Sequence, residues 1–254
     1  MLKKIVIKIG TNILTTPEGS LDLNNLRSLV DQISRLQEKH RCLIVTSAAI
    51  TCGSEKLKLQ PQTLPEKQAA AAVGQPLLMM EYERFFSHHG HIIGQILFTK
   101  DVLDHPQRMH AAHDTINTLI EKSAIPIFNE NDSISVDEIK FGDNDELSSL
   151  IALLAKADLY IILTDIDGLY TKNPKQHTDA TQIFEVHNLD DQYLAMASGP
   201  LSTRSKGGMI SKLKAAQLAT ENGITTVIAN GRKAGILEDI LEGKKIGTLF
   251  HAKL

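Results

Sequence analysis

The chain has 254 residues, 27 Lys and Arg against 30 Asp and Glu for a formal net charge of −3, and 42% hydrophobic residues. Charge this balanced and scattered excludes the basic sheath of a nucleic-acid binder, and no apolar run reaches the roughly 18 residues of a membrane span. Lys8 interrupts the N-terminal apolar stretch, against a signal peptide, and the two cysteines, Cys42 and Cys52, offer neither a disulfide framework nor a CxxC spacing, so a reducing cytoplasm is expected. With no Trp and 4% aromatics the core must be aliphatic, and we expect one domain over residues 1–254.

In chain order, Lys3 to Ile9 is a β-branched run closed by Gly10, and Leu23 to Glu38 carries Leu26, Leu29, Val30, Ile33 and Leu36 at helical spacing. Short apolar runs follow at Cys42 to Thr46, His91 to Phe98, Ala124 to Phe128, Leu159 to Leu163 and Thr225 to Ala229. Helical patterns fill the gaps at Glu66 to Ser87, Asp143 to Lys156 and Met209 to Glu221, and Gly74 with Pro76 is expected to kink or split the first of these. Ile134 to Phe141 alternates as a small hairpin would, and Asp190 to Lys206 reads as an irregular, mobile loop. Apolar strands alternating with helices predict an α/β fold, a three-layer α/β/α sandwich around an open, mostly parallel sheet.

In such sheets ligands bind beyond the carboxyl ends of the strands, and there the polar residues gather. The runs end in Lys8-Ile9-Gly10-Thr11, Thr46-Ser47-Ala48-Ala49, Asn129-Glu130-Asn131-Asp132 and Thr164-Asp165. A lysine inside an apolar strand either snorkels or meets an anion, and Gly10 beside it frees the backbone to present an N–H. The P-loop, GxGxxG and protein-kinase signatures are absent, so any phosphate must be held by another cradle. Ser205-Lys206-Gly207-Gly208-Met209 opens a helix whose free N–H groups suit an anion, with Lys212 one turn on. Gly142-Asp143-Asn144-Asp145 opens another, with more acid than capping requires, which leaves Asp145 to orient lysines or approach magnesium. His88, His89 and His91 straddle Gly90 without the spacing of a zinc helix and are read as junction residues. Met79 and Met80 are read as core filler and Cys42 as a buried small hydrophobe.

These ordered segments, with Gly168-Leu169-Tyr170 after Thr164-Asp165 and the ending Gly247-Thr248-Leu249-Phe250-His251, resemble the amino-acid kinase family over essentially the whole chain. Within it they resemble the members that phosphorylate glutamate. The resemblance implies transfer of a phosphoryl group from ATP, with Mg²⁺, to the γ-carboxylate of L-glutamate, giving L-glutamyl 5-phosphate, the first step of proline synthesis. It matches Lys8 and Lys212 to lysines on the transferred phosphate and Asp145 to the acid that holds them. Ser47, Asp132 and Asn144 match glutamate-binding positions. Lys8, Gly10, Thr164, Asp165, Lys206, Gly207, Gly208, Met209 and Lys212 match the nucleotide-binding segments. Metal ligands are not identified. Proline is implied as feedback inhibitor, and a homo-oligomer is expected.

The chain departs from the family pattern at Ser47-Ala48-Ala49, where Ser-Gly-Ala is usual, and at Ser205-Lys206, where Gly-Thr is usual. Many members continue into a C-terminal domain of the type found in RNA-modifying enzymes, and none is expected here. Because both lysines are kept, we expect Ala48 at negative φ with its N–H still toward phosphate. Two alternatives stand beside this reading: a sibling acting on acetylglutamate or uridylate, and a catalytically weak amino-acid-binding sensor. Retention of Lys8 and Lys212 argues against the sensor, and the Asn-Glu-Asn-Asp and Gly-Asp-Asn-Asp pair speaks for free glutamate.

Overall fold

A computed structural model describes residues 2–99, 102, 105–135, 144–174, 176–197 and 208–253. The β-branched run forms strand β1 (Lys4–Ile9), followed by a short helix α1 (Thr11–Leu14) and the amphipathic α2 (Leu23–Gln37), which Asp22 caps by accepting from the Asn25 N–H. Next come β2 (Arg41–Val45), α3 (Ala49–Leu57), α4 (Leu64–Ser87), β3 (Ile93–Phe98), α5 (Pro106–Glu121) and β4 (Ile125–Glu130). The second half holds α6 (Asn144–Leu154), β5 (Leu159–Thr164), β6 (Leu169–Tyr170), β7 (Gln182–Ile183), β8 (Glu185–Val186), α7 (Asp191–Ala197) and α8 (Met209–Glu221). It closes with β9 (Thr225–Asn230), α9 (Ile236–Leu241) and β10 (Thr248–Phe250).

Among the described residues the main sheet has eight strands in the order β3-β4-β2-β1-β5-β9-β10-β8, and only the β9–β10 pair is antiparallel. Strand side chains alternate between faces, so β1 sends Ile5, Ile7 and Ile9 into one core with α2, α4 and α9. Val6 goes into the opposite core with α5, α6 and α8, and by the same alternation Lys8 points to that second face. The α/β/α sandwich expected from the sequence is therefore what the chain forms. Chain order reverses at β1, with β2 on one side and β5 on the other, the switch point where open α/β sheets bind ligands.

Several local expectations need correction. Helix α4 runs unbroken through Gly74 and Pro76. Gly74 is there because α3 crosses it: a Cβ on Gly74 would lie 1.8 Å from the Ala49 carbonyl oxygen, and one on Gly53 would lie 1.7 Å from that of Ala70. Pro76 and Ala72, whose carbonyl the proline leaves without its helical partner, both lie on the exposed side, where water can serve that carbonyl. Met79 is buried as expected, but Met80 is 60% exposed, one position further round the helix. Asp191–Ala197, expected as loop, is helical. Residues 198–206 of that loop and most of the expected hairpin over residues 134–141 lie outside the described residues.

Candidate active site

Lys8, buried to 2% exposure, places its Nζ 2.5 Å from Asp145 Oδ1, and Lys212, at 6%, places its Nζ 3.0 Å from Asp145 Oδ2. The strand parity of β1 aims Lys8 at the first turn of α6, and α8 lies beside α6, so Asp145 receives a cation from each side. Ser211 Oγ lies 2.8 Å from both Asp145 Oδ2 and the Gly208 carbonyl, with one proton to give to either. Within this cluster two ammonium groups share one fully buried carboxylate. Burying charge is costly unless paired, and two lysines brought together at one carboxylate are placed to meet an anion as well.

Helix α8 begins at Met209 with Gly208 as an N-cap that contributes no side-chain hydrogen bond, so the first-turn N–H groups and the helix dipole are available to the same anion. Lys206 and Gly207, assigned to this cradle from the sequence, lie outside the described residues. Gly10 behaves differently from expectation. Its φ is −71° and its N–H points to the Leu163 carbonyl at 3.3 Å. Its lack of a side chain matters for space instead: a Cβ would lie 3.3 Å from Leu163 O and 3.7 Å from Lys8 Nζ. At the end of β5, Thr164 Oγ1 donates to Asp165 Oδ1 at 3.3 Å, and the exposed Asp165 also accepts from Asn12 at 3.5 Å.

On the other side of Asp145, Asn144 Nδ2 lies 2.6 Å from the Thr46 carbonyl, 3.1 Å from Ser47 Oγ and 2.9 Å from Asn129 Oδ1. Asn129 Oδ1 also accepts from the Glu130 backbone N–H, which can only donate, so the Asn129 amide has one possible orientation and its Nδ2 must face Gln75 Oε1, 2.7 Å away. That in turn directs Gln75 Nε2 away from Asn129, buried and without a hydrogen-bond partner among the described residues. Gln75 lines a cavity of about 270 Å³ together with Glu130, Asn131, Asp132 and Ser133. The structure thus joins Ser47 to Asn144 directly and sets Asp132 on the wall of the adjoining cavity. Thr46 is fixed from behind by the hydroxyl of Tyr82 at 2.9 Å, whose burial pushes that phenol above its ordinary range.

Gln75 and Tyr82 were not assigned to the site from the sequence, and Ser211 and Asn129 were named only within longer segments. Ser211 sits one residue before Lys212 and Gln75 is a lone amide in an Ala- and Leu-rich helix, signals visible only when their partners are known. The departure at Ala48 also resolves against expectation: its φ is +77°, left-handed, as α3 leaves β2. The turn needs the glycine-type backbone and holds it with an alanine, at a cost of about 1 kcal/mol or more. Cys42 is the buried hydrophobe expected, its thiol pushed up to about 12 by burial. Among the described residues no helix is long and apolar enough to cross a membrane.

The model of the amino acid kinase family matches residues 3–230. The chain is 46% identical over 255 residues to a glutamate 5-kinase of Clostridium acetobutylicum, covering 99% of this chain and 96% of that protein. It is 45% identical over 258 residues to that of Clostridium perfringens, covering 99% and 96%. Another relative, the glutamate 5-kinase of Thermoanaerobacter sp. (strain X514), is 43% identical over 97% of this chain but 67% of its own length. Among solved structures, a UMP kinase from Ureaplasma parvum superposes with a TM-score of 0.68 at 18% identity, covering 99% of each chain, and an isopentenyl phosphate kinase does so with the same score and identity over 97% and 99%. With a family match over most of its length and relatives this similar along nearly all of it, the chain belongs to the amino acid kinase family.

Proposed function

We propose that this protein is a glutamate 5-kinase, transferring the γ-phosphoryl group of ATP to the side-chain carboxylate of L-glutamate in proline biosynthesis. The buried Lys8–Asp145–Lys212 cluster beside the uncapped start of α8 is the observation that supports this most directly. Identity of 46% to a glutamate 5-kinase over nearly the whole chain selects glutamate as acceptor over the substrates of the more distant siblings.

A carboxylate acceptor is ionised at neutral pH, so no general base is required, and the barrier is one of bringing two anions together. Lys8 and Lys212 neutralise the charge that builds on the equatorial oxygens of the phosphoryl group in flight, and the N–H groups of Met209 and its neighbours hold the remaining phosphates. Asp145 keeps both ammonium groups at fixed positions, so little reorganisation is needed at the moment of transfer. Asn144, tied to Ser47 and Asn129, and Asp132 on the cavity wall hold the amino acid in line. The residues suit a magnesium nucleotide: both Asp145 oxygens are occupied by cations, so Mg²⁺ would be carried by phosphate oxygens and water, as that ion prefers. When bound it supplies further charge neutralisation on the phosphates. A cytoplasmic location, a homo-oligomer and inhibition by proline at the glutamate site belong to the same reading.

The test is ADP release with glutamate, aspartate, N-acetylglutamate and UMP offered side by side. Glutamate should support turnover far above the other three. Turnover with UMP or N-acetylglutamate alone would overturn the acceptor assignment, and glutamate binding without ADP release would mark a sensor. Proline should inhibit and added glutamate should relieve it. Inhibition that glutamate cannot overcome would place proline elsewhere.

A further inference from the structure

We propose a second cation site, suited to a divalent transition ion such as zinc, formed by Glu185, His187 and His251 at the open edge of the main sheet. It lies on β8 and the strand beside it, built from residues that the phosphoryl-transfer reading does not use.

The placement follows from strand geometry. Strand β8 pairs in parallel with β10, with Leu249 opposite Glu185 and Phe250 opposite Val186, and the His251 N–H continues the ladder to the Val186 carbonyl at 3.0 Å. His251 is thereby brought beside His187, whose ring stacks on its own. Glu185 lies on β8, His187 follows its end and His251 follows the end of β10. The three side chains present ligand atoms that all lie within 4.8 Å of one another.

The separations suit a shared ion better than hydrogen bonds. Glu185 Oε2 is 3.6 Å from His251 Nε2 and 3.8 Å from His187 Nε2, both too long for a hydrogen bond. Ligands around a tetrahedral ion with bonds of about 2.0–2.2 Å are about 3.3–3.6 Å apart. In addition, the His251 Nε2 atom is covered, though its side chain is 38% exposed, and has no hydrogen-bond partner among the described residues. The imidazoles stack with centroids 4.3 Å apart and planes at 14°, so binding requires the rings to converge at their Nε2 edges. His187, whose side chain is 77% exposed, has the freedom to make that rotation.

Two imidazoles and one carboxylate favour zinc, cobalt, nickel or copper over magnesium, which prefers an all-oxygen shell. Three protein ligands leave a fourth position for water. The ion would tie a two-residue edge strand to its neighbour, the weakest part of the sheet to be held by backbone bonds alone.

The experiment uses the full chain, stripped with chelator, titrated with ZnCl₂ by calorimetry and with CoCl₂ by visible absorption, in parallel with Glu185→Gln, His187→Ala, His251→Ala and the double histidine variant. The expected result is one Zn²⁺ per chain with micromolar affinity, at least tenfold weaker binding in each single variant, and none at this site in the double variant. Cobalt should give the intense visible bands of a tetrahedral site, and saturating zinc should raise Tm by about 5 °C in the wild type only. Glutamate-dependent ADP release measured in magnesium should be the same in all variants, which also shows that they fold. Absence of stoichiometric zinc binding, or binding that the double variant retains at unchanged affinity, overturns the proposal.

Discussion

Lys8 and Lys212, from the first strand and a helix near the other end of the chain, are held on the two oxygens of a single carboxylate, at 2.5 and 3.0 Å from Asp145. Asp145 lies between the two like-charged groups and meets both. Remove one lysine and the other still has a partner, so the fold should survive. Remove Asp145 and both buried cations lose the carboxylate they share.

Lys8→Ala and Lys212→Ala should each lower kcat far more than they raise the KM for glutamate, because the charge they stabilise develops during transfer. Loss of one such donor costs about 2.7–4 kcal/mol, on the order of 10²–10³ in rate. Steady-state kinetics checks this, and a change confined to KM would remove the lysines from the transfer step. Asp145→Ala should in addition destabilise the protein by about 3–5 kcal/mol, measured by urea unfolding.

Asn144→Ala and Asp132→Ala should act mainly on the KM for glutamate, since groups that grip the amino acid act in ground and transition states alike. Asn144 carries a further consequence. Its amide anchors Thr46, Ser47 and Asn129, so the alanine variant should loosen the Asn129–Gln75 pair as well. Gln75→Leu, which removes the acceptor for Asn129 Nδ2, should therefore reproduce part of the KM increase without touching the lysines. An unchanged glutamate KM in all three variants would place the acceptor site elsewhere.

Ala48→Gly should stabilise the protein by about 0.5–1 kcal/mol. The left-handed φ of +77° costs an alanine about 1–2 kcal/mol, which exceeds the extra chain entropy that glycine brings to the unfolded state. The change in kcat should stay below about tenfold, a barrier shift under roughly 1.4 kcal/mol. Ala48→Val should be destabilising, because a β-branched residue tolerates positive φ least. Urea melts of the three proteins decide it, and a less stable glycine variant would mean that the Ala48 methyl contributes more by packing than the backbone loses.

Gly74→Ala should destabilise by about 3 kcal/mol or more, or prevent folding, since its Cβ would lie 1.8 Å from the Ala49 carbonyl oxygen and 2.4 Å from the Gly53 nitrogen. Because Ala49 follows the Ser47-Ala48 turn, any folded variant should also show altered kinetics. A thermal melt superimposing on the wild type would show that α3 and α4 can separate without penalty.

The sequence by itself determined the layered α/β class, the strands of the sheet's centre, and the grouping of polar residues at strand ends, because period-two and period-3.6 patterns are local properties of the chain. It also narrowed Lys8 to two outcomes, a side chain that snorkels to water or one that meets an anion, since a cation inside an apolar strand is costly to bury alone. Asp145 was matched to it through the family resemblance, and the tertiary structure decided the geometry of that meeting. The meeting of β1, α6 and α8 at Asp145 depends on sheet order, and sheet order is set by long-range packing. The same holds where expectation failed. Gly74 reads as a helix breaker until α3 is laid across it, and the φ of Ala48 depends on the direction α3 must take from β2. The triad of Glu185, His187 and His251 likewise exists only through the pairing of β8 with β10, a contact between short strands whose partnership no local pattern encodes.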